Sequence, residues 1–299
     1  MIDPQTRTSA EAMRRADIAC YMAKHQGRNR CHLYNIDDEK HIPSLGEIDV
    51  VNDLKDALLS DRFFLHFQPI TDIVTHEVVL HEVLLRLRDK SGGSLQPGHF
   101  IPIAERYGLM NRLDEWVINR AVQFIRQQQV LGKVCRLSVN LSGMSLGDSA
   151  LLETIKDIVV NDSHVAGCLI LEVTETAAVT HIDKASRFIR ELRDTGVQFA
   201  LDDFGTGFSS FAYLKHLPVD LIKIDGTFVR DILDDPVDQA MVRSINHIAH
   251  SLGKKTVAEF VENAEILALL QEIGVDLVQG YHIGKPSAHH HGEAILPRE

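Results

Sequence analysis

Residues 168–203 read CLILEVTETAAVTHIDKASRFIRELRDTGVQFALDD and contain one complete strand–helix–strand unit. Residues 168–174 and 197–203 are mainly apolar runs, as expected of parallel strands covered on both faces, with acidic side chains at or near their C-terminal ends. Between them, residues 183–194 have the apolar spacing of an amphipathic helix. A helical connection between two buried strands is typical of α/β proteins. This stretch therefore predicts the α/β class.

The same alternation continues on both sides of this unit, from about residue 47 to residue 280. The predicted strands are 63–70, 78–87, 136–141, 168–174, 197–203, 220–225, 255–260 and 275–280. The predicted helices lie at 111–129, 149–160, 183–194, 235–252 and 263–273. Eight strands with interleaved helices in roughly 250 residues favour a (β/α)8 barrel, and a doubly wound open sheet is the alternative.

The first two predicted strands depart from the regular barrel pattern. Only TDIVTHE, residues 71–77, separates them, and this is too short for a helical crossover. The two strands should therefore be antiparallel. The fold class that we predict is α/β, a modified TIM (β/α)8 barrel with one antiparallel strand.

The N-terminal region has a different organisation. Residues 9–24 have a helical apolar stripe, and CHLYN, residues 31–35, resembles a short strand. One helix and one strand cannot bury a core alone, so we interpret residues 1–36 as the end of a truncated domain. Residues 37–49 form a polar connector, and residues 50–299 form the barrel.

Composition and charge limit the possible functions. The 299 residues include 31 Lys and Arg against 42 Asp and Glu, a formal net charge of −11. This balance is that of an ordinary globular protein and argues against binding of polymeric nucleic acid, which requires clustered cations. The four cysteines are scattered, which fits a reducing cytoplasm. No apolar run approaches the roughly 18 residues of a membrane helix, although a longer parent protein could carry a membrane anchor.

Polar side chains stand at or near the C-terminal ends of six consecutive predicted strands. They are Asn140, Glu172, Asp202 with Asp203, Lys223, Glu259 and Gln279. In an α/β barrel these strand ends face one shared mouth, where active sites are built. A single carboxylate at a strand end is usually a helix cap or a solvated loop residue, but six such ends in sequence favour a functional site.

Glu82 lies inside the apolar run VVLHEVLLRL, where an unpaired buried carboxylate would cost several kcal/mol. The alternation of a strand places Glu82, Leu84 and Arg86 on one face. Two interpretations remain open. Glu82 and Arg86 could form a structural ion pair, or a cation could neutralise Glu82 while Arg86 meets an anion.

The oxygen-rich side chains at these strand ends suit Mg²⁺ or Mn²⁺ better than zinc. Asp202 and Asp203 would diverge on a straight strand and can share a pair of metal ions only if the chain bends, for which Gly205 and Gly207 are available. Lys223 could form a Schiff base, but neighbouring carboxylates should keep it protonated. Orienting a hydroxide or a phosphate oxygen is the favoured role for Lys223.

These motifs together resemble the EAL-domain family of cyclic di-GMP phosphodiesterases. The similar blocks are FQPI, HEVLLRL, FIPIAERYGL, LSVNLS, LEVTET, LDDFGTGFSS, LIKID, VAEFVE and VQGYHIGKP, which extend from about residue 50 to the last motif. The N-terminal ADIACYMAKHQGRNRCHLY is similar to the last helix and strand of a GGDEF domain, without its catalytic half. The resemblance implies a barrel that uses two Mg²⁺ or Mn²⁺ ions to cleave one phosphodiester bond of cyclic di-GMP, giving linear pGpG.

The resemblance also implies roles for individual residues. Six would bind the metals: Glu82, Asn140, Glu172, Asp202, Asp203 and Glu259, with Asp202 bridging the ions and Glu259 as ligand or general base. Lys223 and Gln279 would position the attacking water, and Glu175 would anchor the loop after Asp203, which contributes to dimerisation. Gln68, Leu84 and Arg86 would line the nucleotide site. The expected partners are a second copy of the chain and adjacent GGDEF and sensor domains in a longer parent protein.

Two positions depart from the family pattern. Val83 replaces the alanine of the signature tripeptide, and since it faces away from Glu82 it should affect packing more than metal binding. Phe260 follows Glu259 where the family usually has glycine, and a bulky side chain there could displace the carboxylate. These changes motivate an alternative function, a receptor that binds cyclic di-GMP without cleaving it. A third possibility is an unrelated metal-dependent lyase.

The histidine run His289–His291 follows the last motif and is most simply a solvated tail.

Overall fold

The computed structural model describes residues 8, 11–13, 15, 16, 19, 31–35, 45–89, 92–207 and 211–288. The chain divides into two compact units, residues 1–56 and residues 57–299. Most of the predicted linker and the histidine run at 289–291 lie outside the described residues. No helix of the described residues is both long enough and apolar enough to cross a membrane.

Within the larger unit, strands and helices alternate along most of the chain. The strands are β1 (Phe63–Asp72), β2 (Val78–Arg88), β3 (Ser94–Leu95), β4 (Leu137–Asn140), β5 (Leu169–Thr174), β6 (Gln198–Phe204), β7 (Leu221–Ile224), β8 (Lys255–Ala258) and β9 (Leu277–Val278). The helices are α1 (Leu45–Leu59), which begins in the smaller unit, α2 (Pro97–Arg106), α3 (Met110–Val130), α4 (Ser149–Val160), α5 (Ser163–Cys168), α6 (Glu175–Thr180), α7 (Ile182–Arg193), α8 (Gly226–Arg230), α9 (Pro236–Ser251) and α10 (Ala264–Ile273).

Eight of the nine strands in the described part of the chain close into a barrel in the order β1-β9-β8-β7-β6-β5-β4-β2, and β1 pairs with β2 to complete the ring. Strand β1 is antiparallel to both of its neighbours, whereas the pairs from β2 to β4 and onward to β9 are parallel. Closure confirms the predicted barrel and excludes the doubly wound open sheet. The two-residue strand β3, which pairs with the end of β2, was not predicted.

The strands bury one set of side chains against the helices and the other set inside the barrel. In β5, Leu169, Leu171 and Val173 belong to the outer core, which α7 covers with Phe188 and Ile189. Helix α7 therefore forms because its apolar stripe removes large side chains from water, each contributing about 1.5–3 kcal/mol. Val83 also belongs to this outer core, as predicted from its location on the face of β2 that points away from Glu82.

The interior of the barrel contains two layers of side chains. The lower layer is apolar and consists of Ile70, Leu80, Ile170, Ala200, Leu221, Val257 and Leu277. Two residues further toward the carboxyl ends of the parallel strands, every strand contributes a polar side chain. On β1, which runs the opposite way, that side chain lies two residues earlier. The apolar layer therefore supports a complete polar layer at the mouth.

One prediction about the N-terminal unit, the short strand at residues 31–35, is wrong. Residues 31–35 have no strand structure. A helix is present at residues 11–13, 15, 16 and 19, and the hydroxyl that caps its first turn belongs to Thr8, which accepts a hydrogen bond from the Glu11 amide at 3.1 Å. A strand-like apolar pattern is weak information without a neighbouring strand to complete the hydrogen bonds.

Candidate active site

The polar layer at the barrel mouth brings together side chains from all eight barrel strands or the residues that directly follow them. They are Gln68, Glu82, Asn140, Glu172, Asp202, Lys223, Glu259 and Gln279. This set contains seven of the strand residues singled out from sequence pattern, together with Gln68, which the family resemblance supplied. Strand pairing accounts for their proximity, since each carboxyl end of a parallel strand meets the same edge.

The ammonium group of Lys223 lies at the centre of this layer and is 1% exposed. Its Nζ is 2.8 Å from Glu172 Oε2 and 2.8 Å from Glu259 Oε1. Asp202 Oδ1 lies at 3.1 Å and Glu82 Oε2 at 3.5 Å. Burial acts to lower the pKa of Lys223, but these four carboxylates raise it well above its ordinary value. Lys223 is therefore a fixed cation, as expected, and is unsuited to Schiff-base chemistry.

One ammonium group does not neutralise the surrounding carboxylates. Burial, followed by the charges of Glu82 and Asp202, raises the pKa of Glu172 to about 8 despite the attraction of Lys223. Burial and the same two neighbours raise the pKa of Glu259 to about 7. With one ammonium group among four carboxylates, the layer has an excess of negative charge when all are ionised, and protons or cations can relieve it.

The Glu82 carboxylate is held on both oxygens. Asn140 Nδ2 donates to Oε1 at 2.8 Å, and Gln279 Nε2 donates to Oε2 at 2.6 Å. Burial acts to raise the pKa of Glu82, but Lys223 and these two amides lower it below its ordinary value. Among the described residues no ion pair joins Glu82 to Arg86, so the interpretation of a structural Glu82–Arg86 pair is wrong.

Arg86 and the two amide side chains complete the wall of the mouth. The Arg86 guanidinium is buried and donates to the carbonyl oxygen of Leu85 at 2.9 Å. Gln68 accepts from Gln279 Nε2 at 3.2 Å and donates to the Gly284 carbonyl. Gln279 Oε1 is buried without a hydrogen-bond donor, which leaves one unpaired acceptor on this side chain. Leu84 lies on the same face of β2 and is partly exposed.

A β-bulge joins Asp202 to Asp203. Leu201 pairs with Ile222 and Phe204 with Ile224, so the two aspartates face the single residue Lys223. Asp203 has a φ of 53°, in the left-handed region that non-glycine residues rarely adopt. The bend therefore begins at Asp203 itself and continues at Gly205, whose φ is 105°.

Gly207 also lies in a bend after the strand, although its backbone is not left-handed. The bulge turns the Asp203 carboxylate back toward the mouth, so that oxygens of Asp202, Asp203 and Glu259 all lie within 4.8 Å of one another. Burial, then the charges of Asp202 and Asp225, raise the pKa of Asp203 to about 6. This group of three is the part of the layer best arranged to bind a divalent ion.

Glu175 lies beside this group and contacts the segment that follows Asp203. Its buried carboxylate accepts hydrogen bonds from the Gly205 amide at 2.9 Å and the Tyr213 hydroxyl at 2.7 Å. These contacts fix both described ends of the segment, whose residues 208–210 lie outside the described part of the chain. Tyr213 was not identified from the sequence, because it lies 38 positions from its partner and in no strand.

Phe260 has a different effect from the one expected. Its φ is 55°, and the ring lies against Gly226 and beneath the Arg230 guanidinium rather than against the Glu259 carboxylate. Glu259 retains its 2.8 Å contact with Lys223. Phe260 therefore does not separate Glu259 from Lys223.

The donor set fits hard divalent cations. Carboxylate and amide oxygens predominate, the pKa of three carboxyl groups is raised by burial and like charge, and Gln279 Oε1 has no donor. The fold and site together define a class: a closed α/β barrel with an acidic site of the metal-binding type at its mouth.

The chain belongs to the EAL domain family, whose model matches residues 51–286. It is 38% identical over 277 residues to the cyclic di-GMP phosphodiesterase PdeB of Shewanella oneidensis, covering 92% of this chain and 32% of the relative. It is 34% identical over 285 residues to MucR of Pseudomonas aeruginosa, a bifunctional diguanylate cyclase/cyclic di-GMP phosphodiesterase, covering 95% of this chain and 41% of MucR. The chain thus spans about a third of the length of PdeB and about two fifths of the length of MucR.

A solved structure of a complex of the PaMucR phosphodiesterase with cyclic di-GMP has the same fold. The TM-score is 0.75 and the sequence identity 33%, with 80% of this chain and 97% of that chain covered. Family membership excludes the interpretation as an unrelated barrel lyase.

Proposed function

We propose that this protein hydrolyses one phosphodiester bond of cyclic di-GMP and releases linear pGpG. The observation that carries the proposal is the ring of carboxylates around Lys223, which has the composition of a two-metal phosphodiesterase site. The named activities of the relatives and the cyclic di-GMP complex of a structural neighbour support the choice of substrate.

Glu82, Asn140, Glu172, Asp202, Asp203 and Glu259 would hold the metal ions, for which Mg²⁺ and Mn²⁺ are the candidates. Two bound ions supply Lewis-acid stabilisation of the phosphate charge and lower the pKa of a bound water. In hydrolysis the water oxygen bonds to phosphorus, the P–O3′ bond breaks, and the departing 3′ oxygen gains a proton.

The protein side chains have distinct roles in this proposal. Glu259, which lies 2.8 Å from Lys223 at the mouth, would accept a proton from the attacking water. Lys223 keeps the carboxylates in place, and the free acceptor of Gln279 orients the water. Arg86 meets the phosphate or base, next to Gln68 and Leu84 on the nucleotide wall, and Glu175 positions the segment after Asp203.

Chromatography tests this function. The protein is incubated with cyclic di-GMP and Mn²⁺ or Mg²⁺, and pGpG should form and should disappear when EDTA is added. Asp203→Ala and Glu82→Ala should reduce turnover at least a hundredfold, because each removes a metal ligand. Glu272→Ala, which removes a surface carboxylate paired with Arg243, serves as the control. Full activity in either site variant would contradict the two-metal assignment.

The receptor remains the second candidate, and the same experiment separates the two. Binding of cyclic di-GMP without pGpG formation under both metals would establish a receptor and overturn the proposed hydrolysis. The left-handed backbone at Phe260, beside Glu259, is the feature that keeps this candidate relevant.

We also propose the wider organisation inferred from the resemblance. Residues 1–36 would be the end of a GGDEF domain, 37–49 a linker and 50–299 the phosphodiesterase domain, in a longer parent protein with sensor domains. The match to MucR supports this, since 95% coverage of 299 residues extends upstream of residue 51. A homodimer and a cytoplasmic location belong to the same proposal. Light scattering of the purified protein tests the dimer.

A further inference from the structure

Phe260 combines two unusual properties at the barrel mouth. Its φ of 55° places a bulky side chain in the left-handed region, where such residues are genuine outliers. Its exposed fraction is 45%, so solvent reaches a large apolar ring directly beside Glu259. A strained conformation next to a reactive group is an observation from which a functional hypothesis can be drawn.

The contacts of the ring define its orientation. The Cγ, Cδ2 and Cε2 side of Phe260 lies so close to Gly226 that a Cβ at that glycine would overlap the ring. The guanidinium carbon of Arg230, an exposed residue at the end of α8, lies 4.9 Å from the ring centroid. The ring is therefore held between the ends of β7 and β8, on the rim of the mouth.

An exposed aromatic ring is suited to a nucleobase, and a base that stacks on the face covered by Arg230 would move this exposed guanidinium to the edge of the base. Bases stack on aromatic side chains, and arginine donates two hydrogen bonds to the O6 and N7 acceptors of guanine. Phe260 is covalently next to Glu259, so a base on this ring would belong to a nucleotide whose phosphate lies over the polar layer.

We propose that Phe260 and Arg230 form a base subsite, in which Phe260 stacks on one guanine of the dinucleotide and Arg230 selects guanine. This inference rests on the proposed function, because cyclic di-GMP supplies the guanine. It assigns a specificity-determining role to two residues outside the metal-binding set.

The first test replaces Phe260 by glycine, the residue that adopts this backbone without strain. Phe260→Gly should raise KM for cyclic di-GMP about tenfold, with the effect on KM rather than kcat, and should not lower the melting temperature. His76→Gly is the matched control. His76 has a φ of 58° in the turn at the opposite end of the barrel, so the same relief of strain should leave KM unchanged. Phe260→Tyr should keep the wild-type KM.

The second test concerns the selection of guanine. The dissociation constants of cyclic di-GMP and cyclic di-AMP are measured by calorimetry in EDTA, which prevents turnover. Arg230→Ala should weaken cyclic di-GMP about tenfold and cyclic di-AMP much less, because adenine lacks the O6 acceptor. Arg120→Ala, which removes a guanidinium from above the Trp116 ring outside the barrel, is the control.

Unchanged KM and dissociation constants in Phe260→Gly would overturn the subsite. A change in oligomeric state without a change in KM would assign the ring to a protein interface instead. If wild-type protein binds cyclic di-GMP but forms no pGpG, the proposed hydrolysis fails while the calorimetric comparison still decides the subsite. If Phe260→Gly unfolds, loss of binding by Phe260→Ala with wild-type binding by Phe260→Tyr supports the subsite, and equal binding by both contradicts it.

Discussion

The two layers inside the barrel differ in what they contribute to the protein. The lower layer contains side chains such as Ile170 and Leu221, whose burial stabilises the fold at any pH. The upper layer, two residues away on the same strands, buries Glu172 with the like-charged Glu82 and Asp202 around the single ammonium group of Lys223. The same strands therefore carry a stabilising layer and, directly above it, a layer whose energy depends on charge.

This comparison shows why the site is located at the mouth. A buried carboxylate with raised pKa is unfavourable for folding and useful for binding cations, and the apolar layer provides the stability that the polar layer lacks. Mutations in the two layers should therefore respond differently to pH.

The largest effect is expected for Lys223→Met. Removing the ammonium leaves carboxylates without their cation, and the free energy of unfolding should fall by about 3–5 kcal/mol at pH 8. The loss should be smaller at pH 5, because carboxyl groups with raised pKa are then protonated and no longer require Lys223. Urea denaturation in EDTA at both pH values measures the difference.

Ile170→Ala is the matched variant in the lower layer. It creates a cavity that should cost about 2–5 kcal/mol, and this loss should be the same at pH 5 and pH 8. A pH-independent loss in Lys223→Met, like that in Ile170→Ala, would show that the two layers do not differ in this way.

The layers themselves could be predicted from sequence to a large extent. Side chains alternate between the two faces of a strand, so that Ile170 and Glu172 must share one face. Asn140, Asp202 and Gln279 follow from the same rule. Gln68 could not be predicted by this rule, because β1 runs in the opposite direction and Gln68 precedes the apolar residue Ile70 in the sequence.

Other parts depend on interactions between distant segments. The bulge at Asp202 and Asp203 results from the register between β6 and β7, which no local pattern reveals. The left-handed backbone at Phe260 cannot be predicted from local sequence either. Phenylalanine intrinsically disfavours this conformation, and tertiary contacts impose it. One of these is the hydrogen bond from the next residue, Val261, to Gln279 O at 3.0 Å. The hydrogen bond between Glu175 and Tyr213 also requires the fold before it can be recognised.

A smaller effect is expected for Glu172→Gln in metal-free protein. The pKa of Glu172 in the folded state is about 8, above its value in an unfolded chain. Between these two pKa values the folded state binds more protons than the unfolded state. The contribution of Glu172 to stability is therefore present at low pH and is lost as the pH rises through about 8. Wild-type protein should therefore lose about 2 kcal/mol between pH 6 and pH 9, and Glu172→Gln should lose less.

Glu272→Gln, on the surface of α10, controls for general effects of removing a carboxylate and should retain the wild-type pH profile. If the free energy of unfolding in EDTA changed equally with pH in the wild type, Glu172→Gln and Glu272→Gln, the pH dependence would arise outside the polar layer.

The smallest effect tests the boundary between the layers at Ser138. This residue lies on β4 in register with Glu82 and Ile170, is fully buried, and its hydroxyl has no hydrogen-bond partner. Because an unpaired buried hydroxyl is unfavourable, Ser138→Ala should raise the free energy of unfolding by up to about 1 kcal/mol. Ser145→Ala is the matched control, since that equally buried serine donates to Asp114 at 2.7 Å and its loss should cost about 1–3 kcal/mol. If Ser138→Ala instead lowers the free energy of unfolding, the Ser138 hydroxyl is stabilising and Ser138 is part of the polar layer. The polar layer on β4 then extends down to the level that Ile170 occupies on β5.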